Sequence, residues 1–254
     1  KIKSEFFDQI NKIIDWKQIA KEIDGFYKKG LSADGRPSYA GILLFKITLL
    51  QTWYGLSDYE VEDSVNDRIS FSKFAGLSMD DKCPDHSVIS RFRTAMTEKK
   101  AYDKILNRIN DQLEKHAIIV KKGVLIDASI TDSPRKPRGK KEYELITTTK
   151  DETQVEAMNQ VIEKVQSHVD TQGKWVKKAS KLRFGFKKHY ITDEQGLVLG
   201  VTTTAANVNE ISNLEAVLDS CNLQKGTKVK ADKGYKSAKN DELLKRKGLR
   251  NQIM

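Results

Sequence analysis

The spacing of apolar residues changes at Gly123, and this change limits the folds that are open to the chain. Before it, apolar residues recur every three to four positions over 6–19 and 102–113, which is typical of amphipathic helices, and they are nearly continuous over 40–54, which is typical of a buried helix. After it, apolar runs are short and bounded by turn residues, which is typical of strands. The sequence therefore predicts an α/β plan, in which helices precede a mixed sheet flanked by further helices.

Local signals place the boundaries of the predicted elements. Gly55 ends the helix over 40–54, and the pair Ser57 and Glu60 forms a capping box for the next helix. A loop is expected at 30–37. The stretch 142–170 is expected to be an insertion with a helix at 155–169. The other predicted elements are helices at 85–96, 102–113, 210–220 and 238–247, and strands at 124–130, 184–192, 196–204, 227–232 and 248–254.

Positive charge is concentrated in two parts of the chain. The 254 residues carry a formal net charge of +10, and Lys174–Lys188 contains seven lysines or arginines, no acid and three aromatic residues. A second basic run, 225–239, surrounds Asp232. Clusters of this kind favour a polyanion such as nucleic acid, because its binding releases counterions. A solvated basic surface is the alternative.

Several classes of protein are disfavoured by missing patterns. The chain has no apolar run of the roughly 18 residues that a membrane helix needs and no signal-peptide pattern, so we expect a cytoplasmic protein. Cys83 and Cys221 lie far apart, which favours a reducing compartment. Cys83 and His86 have ligand-like spacing without a second pair, which disfavours zinc. The motifs of zinc proteases, P-loop NTPases and dinucleotide enzymes are absent.

Two aspartates lie where a carboxylate is energetically costly. Asp127 falls inside the apolar run Val124–Ile130, and Asp232 ends the predicted strand Val229–Ala231. An ionised carboxylate in or beside a core is destabilising unless a cation offsets it. A turn cap or a local salt bridge is the simpler alternative, above all for Asp232, whose neighbours include lysines. We predict a paired-carboxylate site that holds Mg²⁺ through oxygen ligands for phosphodiester chemistry.

Nine short motifs, each weak alone, follow one another with a specific order and spacing. They are Gly35–Tyr39, Leu49–Asp58, Arg68–Phe71, Phe74–Ser78, Pro84–Arg93, Leu125–Ser129, Phe184–His189, Thr204–Glu210 and Ala231–Tyr235. With these motifs the chain resembles, over nearly its whole length, the IS5 family of insertion-sequence transposases. That family consists of DDE enzymes with an RNase H-like catalytic fold.

The resemblance implies a division into two domains and a set of catalytic acids. A helical N-terminal domain at 1–120 would bind DNA and dimerise, and an RNase H-like catalytic domain at 121–254 would be incomplete at its C-terminus. Asp127 and Asp232 match the first two acids of the DDE triad, which are catalytic and hold two Mg²⁺ ions, with Mn²⁺ as a substitute. The third acid of the family, a glutamate on a later helix, has no match in this chain.

The activity that the resemblance implies is DNA transposition. Metal-dependent hydrolysis would cut the ends of the mobile element, and the 3′-OH ends would then be transferred to target DNA. The implied partners are double-stranded DNA, as terminal inverted repeats and as target, and a second copy of the chain in a homodimer. The implied location is the bacterial cytoplasm, in association with the nucleoid. The alternatives are an inactive or domesticated DNA-binding relative that lacks the third acid, and an RNase H-like nuclease without strand transfer.

Candidate DNA contacts come from the basic clusters and from two helices. The segments 57–68 and 85–96 would form a helix-turn-helix-like reader in which Arg91 and Arg93 approach DNA. A helical bundle with two surface arginines is an equally simple interpretation. The predicted DNA contacts are Arg91, Arg93, Lys177, Lys178, Lys187, Lys188, His189, Lys233 and Tyr235.

Overall fold

Helices dominate the first part of the chain, as the apolar spacing predicts. The computed structural model describes residues 2–27, 38–138, 143–148, 158–163 and 168–254. The loop predicted at 30–37 lies outside these residues. The helices before Gly123 are α1 (Ile2–Ile13), α2 (Trp16–Phe26), α3 (Gly41–Tyr54), α4 (Asp58–Asp67), α5 (Ile69–Ala75), α6 (His86–Glu98) and α7 (Ala101–Lys115).

One predicted helix is two helices in the structure. The apolar spacing over 6–19 predicts a continuous helix, but the structure breaks it between α1 and α2. The Asp15 carboxylate accepts a hydrogen bond of 3.0 Å from the backbone N–H of Lys17 and so caps α2. Ile14 and Ile19 are both buried, so the apolar spacing continues across the break and conceals it in the sequence.

The helix α3 is the centre of the helical part, because it is apolar on nearly all sides. Leu44 and Ile47 are fully buried within it. Gly55 ends α3 as predicted, with a φ of 62° in the left-handed region that favours glycine. The predicted capping box is also present, since the Ser57 hydroxyl accepts from the Glu60 N–H and the Glu60 carboxylate accepts from the Ser57 N–H.

Strands dominate the second part of the chain. They are β1 (Gly123–Asp132), β2 (Tyr143–Thr148), β3 (Met158–Glu163), β4 (Lys174–Lys178), β5 (Lys181–Asp193), β6 (Val198–Ala205), β7 (Lys228–Ala231) and β8 (Arg250–Asn251). Six of them form a mixed sheet in which β5, β1, β7 and β8 lie side by side, while β4 and β6 pair with successive parts of β5. β7 is parallel to β1 and to β8, whereas β5 is antiparallel to β1. The mixed α/β plan is therefore confirmed.

Two helices and two short 3₁₀ turns complete this part. They are α8 (Leu214–Asp219), α9 (Ala238–Arg246) and the turns Ile211–Asn213 and Lys233–Tyr235. Leu214 and Leu244 belong to one buried core with Ile126 and Val229 of the sheet. The helix predicted at 210–220 therefore begins as a 3₁₀ turn, and its α-helical part, α8, buries Leu214, Val217 and Leu218 in this core.

The helix predicted at 155–169 is wrong for the residues that the structure describes there. β3 pairs with β2 in an antiparallel two-stranded sheet, with Leu145 opposite Val161 and Ile146 opposite Gln160. A short apolar run of this length fits either the helical or the strand period. The pairing with β2 decides in favour of the strand, and the apolar spacing of 155–169 does not reveal that pairing.

Helix α7 joins the helical part to the sheet. The Asn110 side-chain amide donates hydrogen bonds to the carbonyls of Val198 (3.2 Å) and Leu199 (3.0 Å) in β6. Leu113 packs against the core of the sheet. The division of the chain at residue 120 stays a prediction, because α7 contacts elements on both sides of it. Among the described helices, none has both the length and the apolar character needed to cross a bilayer.

We predict that Gly185→Ala weakens the pairing of β5 with β1. A Cβ at this position would overlap the carbonyl oxygen of Thr131 and lie 2.7 Å from the backbone nitrogen of Ser133, so backbone atoms would have to move. We expect the free energy of unfolding to fall by about 1–3 kcal/mol, measured by chemical denaturation. The matched control is Gly25→Ala in α2, where no atom lies within 4 Å and helix propensity favours alanine. Equal effects of the two substitutions would contradict this account.

Candidate active site

The two predicted aspartates follow neighbouring positions on adjacent parallel strands. Ile126 of β1 lies opposite Ala231 of β7, and Asp127 and Asp232 are the next residue of each chain segment. Adjacent strands lie about 4.8 Å apart, so this register places both aspartates side by side where the pairing of β1 with β7 ends. Both aspartates are exposed. The structure thus brings together two side chains that are distant in sequence.

Alternation along β1 explains why the Asp127 carboxylate is accessible. Val124 and Ile126 are buried in the core, whereas Leu125 is 41% exposed and Asp127 is exposed. The expectation that the whole apolar run around Asp127 is buried is therefore wrong, because successive strand residues point to opposite faces. Asp127 lies on the open face and does not bear the cost of full burial.

Asp232 has a local role as well as its position beside Asp127. It precedes the 3₁₀ turn Lys233–Tyr235, and its Oδ1 accepts a hydrogen bond of 2.6 Å from the Lys233 N–H. Asp127 Oδ1 likewise accepts from the Ala128 N–H at 2.7 Å. The turn cap considered for Asp232 is therefore present. It involves one oxygen of an exposed carboxylate, so it is compatible with a second role for that residue.

A buried hydrogen bond lies beside the two aspartates. His189 Nδ1 is 2.7 Å from the Tyr235 hydroxyl, and the two side chains are 0% and 1% exposed. Burial raises the pKa of Tyr235, and the carboxylates of Glu210, Asp127 and Asp232 raise it further. Burial, together with the charge of Lys187, lowers the pKa of His189 against the opposing effect of Glu210. Tyr235 therefore retains its proton, and His189 is biased towards its neutral form.

Glu210 is a site residue to which the sequence analysis assigned no role. Its carboxylate lies 3.3 Å from the Lys187 ammonium, which also donates to the Val208 carbonyl at 2.9 Å. It also lies so close to Gly234 that a Cβ there would overlap Glu210 Oε2. Its place at the end of the motif Thr204–Glu210, next to a strand, is the sequence signal that could have identified it.

Three of the predicted DNA contacts are unsuited to that role in the structure. His189 and Tyr235 are buried and bonded to each other. The Lys187 side chain is only 12% exposed and is paired with Glu210. Their sequence neighbours suggested a basic surface, but strand alternation turns Lys187 and His189 towards the interior. These three predictions are corrected accordingly.

Strand register also divides the remaining predicted lysines. Lys188 lies opposite Ser129, two residues from Asp127, so its side chain lies on the same face as Asp127. Lys177 lies opposite Leu182, and strand alternation places its side chain on the same face as that of Lys188. Lys178 lies opposite Lys181 and points to the other face. Lys177 and Lys178 are exposed, as is Lys233 after Asp232, and Lys188 is half-buried.

The predicted helix-turn-helix unit is interrupted in the structure. α5 lies between α4 and α6, so the two helices of the predicted reader are not consecutive. Arg93 donates to Gln51 Oε1 (2.9 Å) and to Asp58 Oδ2 (2.7 Å), and thereby ties α6 to α3 and α4. Arg93 therefore has a structural role, and its contact with DNA stays a prediction because its side chain is 38% exposed. Arg91 is exposed and keeps its candidate role.

The donor atoms of Asp127 and Asp232 fit a hard divalent cation only in part. Asp127 and Asp232 offer exposed carboxylate oxygens, the ligand type that Mg²⁺ prefers. Among the described residues, no group of three or more His, Cys, Asp or Glu side chains is arranged to hold a metal ion. The chain therefore presents two of the carboxylates that a metal site of this kind uses.

Comparison with known protein families agrees with this geometry. Residues 1–95 match the family model described as a transposase domain (DUF772), and residues 118–253 match the one described as a transposase DDE domain. The chain belongs to the DDE transposase family. Membership implies an RNase H-like fold for the mixed sheet and makes the chain a DNA transposase; enzymes of this family generally use divalent metal ions. No solved structure matches the chain.

The different environments of Arg91 and Arg93 lead to a testable prediction about this transposase. We expect Arg93→Ala to lower the free energy of unfolding by on the order of 1 kcal/mol, because Gln51 and Asp58 lose a charged partner at a half-exposed site. Arg91→Ala, the matched control on the same helix, should leave unfolding unchanged and weaken DNA binding. Chemical denaturation and a DNA-binding titration measure the two effects. The reverse pattern would contradict these assignments.

Proposed function

We propose that this transposase belongs to the IS5 family, cuts phosphodiester bonds at the ends of its element and transfers the 3′-OH ends to target DNA. The observation that supports the proposal is the placement of Asp127 and Asp232, in adjacent positions at one end of the parallel pair β1 and β7, with both side chains exposed. A phosphodiester bond of a duplex can approach carboxylates that are exposed in this way. Phosphoryl transfer depends mainly on positioning and on charge stabilisation, which fixed groups on a sheet provide.

We propose Mg²⁺ as the cofactor, with Mn²⁺ as a substitute, and Asp127 and Asp232 as the residues that hold two ions. When bound, these ions activate the attacking oxygen and stabilise the leaving oxygen. The contribution of the chain is to hold Asp127 within β1, which pairs with β5 and β7, and Asp232 directly after β7, where it caps the turn Lys233–Tyr235. Groups on regular elements are positioned more exactly than groups on loops.

Cations on the Asp127 face of the sheet are the proposed phosphate contacts. Lys188 lies two positions from Asp127 on that face, Lys177 extends it along the hairpin of β4 and β5, and Lys233 directly follows Asp232. Lys178 and Arg91 are proposed as contacts from other surfaces. Lysine and arginine contacts to phosphate fix the register of a duplex without reading its sequence. The proposed partners are element ends and target DNA, bound by a homodimer in the bacterial cytoplasm near the nucleoid.

A second candidate function is DNA binding without cleavage, as in an inactive or domesticated relative. The observation that favours it is the two-carboxylate site, since the described residues provide no third acid in a position to complete a metal cluster. Both candidates require DNA binding. They differ in metal-dependent cleavage, which is therefore the property to measure.

We predict that Asp127→Asn and Asp232→Asn each abolish cleavage of element-end DNA in Mg²⁺ while leaving DNA binding largely intact. The substitution keeps the shape of the side chain and removes the charge that holds the ions. Substitution of a residue that only orients a metal ligand already reduces metal affinity about 10–100-fold. We therefore expect substitution of a direct ligand to reduce cleavage more than about 100-fold. Cleavage of labelled end DNA, with and without a chelator, measures this effect.

The control for this experiment is Asp219→Asn, which removes an exposed carboxylate that pairs with Lys247. It should cleave like the parent protein. Cleavage by either the Asp127 or the Asp232 variant at the parent rate would sink the assignment of that residue. Specific binding by a parent protein that never cleaves in Mg²⁺ or Mn²⁺ would favour the binding function.

We predict that Lys177→Gln and Lys188→Gln each reduce the salt dependence of DNA binding. Each phosphate contact contributes about 0.9 to the slope of log affinity against log salt concentration for duplex DNA, so the slope should fall by about that amount in each variant. Lys247→Gln is the control, because Lys247 pairs with Asp219 beside the helices of the opposite sheet face. An unchanged slope in both test variants would exclude this face as a DNA contact.

A further inference from the structure

A buried hydrogen bond connects the turn that follows Asp232 with β5, the strand that pairs with the segment after Asp127. His189 in β5 lies opposite Ala128, the residue after Asp127. Tyr235 closes the 3₁₀ turn that Asp232 caps. The bond from the Tyr235 hydroxyl to His189 Nδ1 measures 2.7 Å, so it spans β5 and the turn after β7 directly beside the proposed site. It lies on the core side of the sheet, away from the face that carries Asp127.

The Thr204 hydroxyl favours one tautomer of His189. The Thr204 hydroxyl donates to the Ala205 carbonyl at 3.3 Å, so its oxygen is available to accept from His189 Nε2–H at 3.3 Å. The neutral ring then carries its proton on Nε2 and accepts the Tyr235 hydroxyl proton at Nδ1. This series of bonds, from Tyr235 through His189 to Thr204, ties the turn after β7 to both β5 and β6.

A charged pair reinforces the same connection. Lys187 lies two residues before His189 and on the same side of β5, and its ammonium is 3.3 Å from the Glu210 carboxylate. Glu210 in turn packs against the backbone at Gly234, next to Tyr235. Two successive inward-facing residues of β5 are thus connected to the turn that begins at Asp232, one directly and one through Glu210.

We propose that His189 and Tyr235 are positioning residues, whose hydrogen bond holds Asp127 and Asp232 at the separation needed to bind a divalent cation together. The inference rests on the proposed function of the two aspartates and adds a role for residues that touch neither DNA nor the ion. The connection is needed because Asp232 lies beyond the last paired residue of β7. The sheet alone therefore leaves the position of its side chain to the turn that Tyr235 anchors.

The test is the affinity of the protein for Mn²⁺ alone, measured without DNA by electron paramagnetic resonance or calorimetry. Tyr235→Phe keeps the buried ring and removes the hydroxyl. We expect Mn²⁺ affinity to fall by about 10-fold or more, as for other residues that orient metal ligands. DNA binding in a chelator should stay within about twofold of the parent. Tyr39→Phe is the matched control, since its hydroxyl donates to the Cys83 carbonyl at 3.1 Å in the helical part.

Substitutions at His189 separate positioning from a general loss of stability. His189→Gln retains an acceptor for the Tyr235 hydroxyl and should bind Mn²⁺ more tightly than His189→Leu. The double variant Tyr235→Phe/His189→Leu should lose no more Mn²⁺ affinity than His189→Leu alone, because both substitutions break one bond. If His189 and Tyr235 only stabilised the fold, the loss of Mn²⁺ affinity would follow the loss of thermal stability from variant to variant. Thermal stability is therefore measured in parallel without metal.

Asp127→Asn is the reference that distinguishes failure of the metal site from failure of the positioning role. If it weakens Mn²⁺ binding while Tyr235→Phe and His189→Leu leave it within about twofold of the parent, the positioning role is wrong and the metal site stands. If Asp127→Asn leaves Mn²⁺ affinity unchanged, or the parent binds no Mn²⁺, both the proposed site and the positioning role are overturned. Should Tyr235→Phe fail to fold, the comparison of His189→Gln with His189→Leu decides the question.

Discussion

The parallel pairing of β1 with β7 is the constraint on which the candidate site depends. Parallel strands cannot be joined by a tight turn and need a long crossover, and here the crossover contains the hairpin of β2 and β3, the strands β4 to β6, and α8. The register of Ile126 with Ala231 then determines which residues emerge together at the end of the pair. A shift of β1 by one residue would turn Asp127 towards the core, so the site depends on this register.

β5 separates the two kinds of polar group that the site requires. Its residues Lys188 and Tyr190 share the open face with Asp127, while Lys187 and His189 point inward to partners from other elements. Charge that can meet a phosphate backbone is thereby kept on one surface, and polar groups that fix geometry are kept on the other. Buried groups of the second kind are tolerated because each has a partner; the described side chains include no buried polar atom without one.

The sequence predicts most elements here and locates the two aspartates, but it leaves out the relations between distant segments. α3, its glycine stop and the capping box depend on neighbouring residues, so local spacing is sufficient for them. The break between α1 and α2 and the strand β3 were missed because a cap or a partner strand overrides the same apolar spacing. The prediction that His189 and Tyr235 contact DNA is wrong because both side chains are buried. Their burial depends on the pairing of distant strands, which only the tertiary structure reveals.

The bond between Asn110 and the carbonyls of Val198 and Leu199 has a consequence for behaviour in concentrated solution. Among the described strands, β6 pairs only with β5, so it lies at a margin of the sheet. Unoccupied backbone groups along such a margin can recruit a strand from another molecule, which leads to ordered aggregates. The Asn110 amide occupies two neighbouring carbonyls at the start of β6, so α7 shields this margin. A basic protein that gathers on DNA at high local density is thereby protected against association through this margin of the sheet.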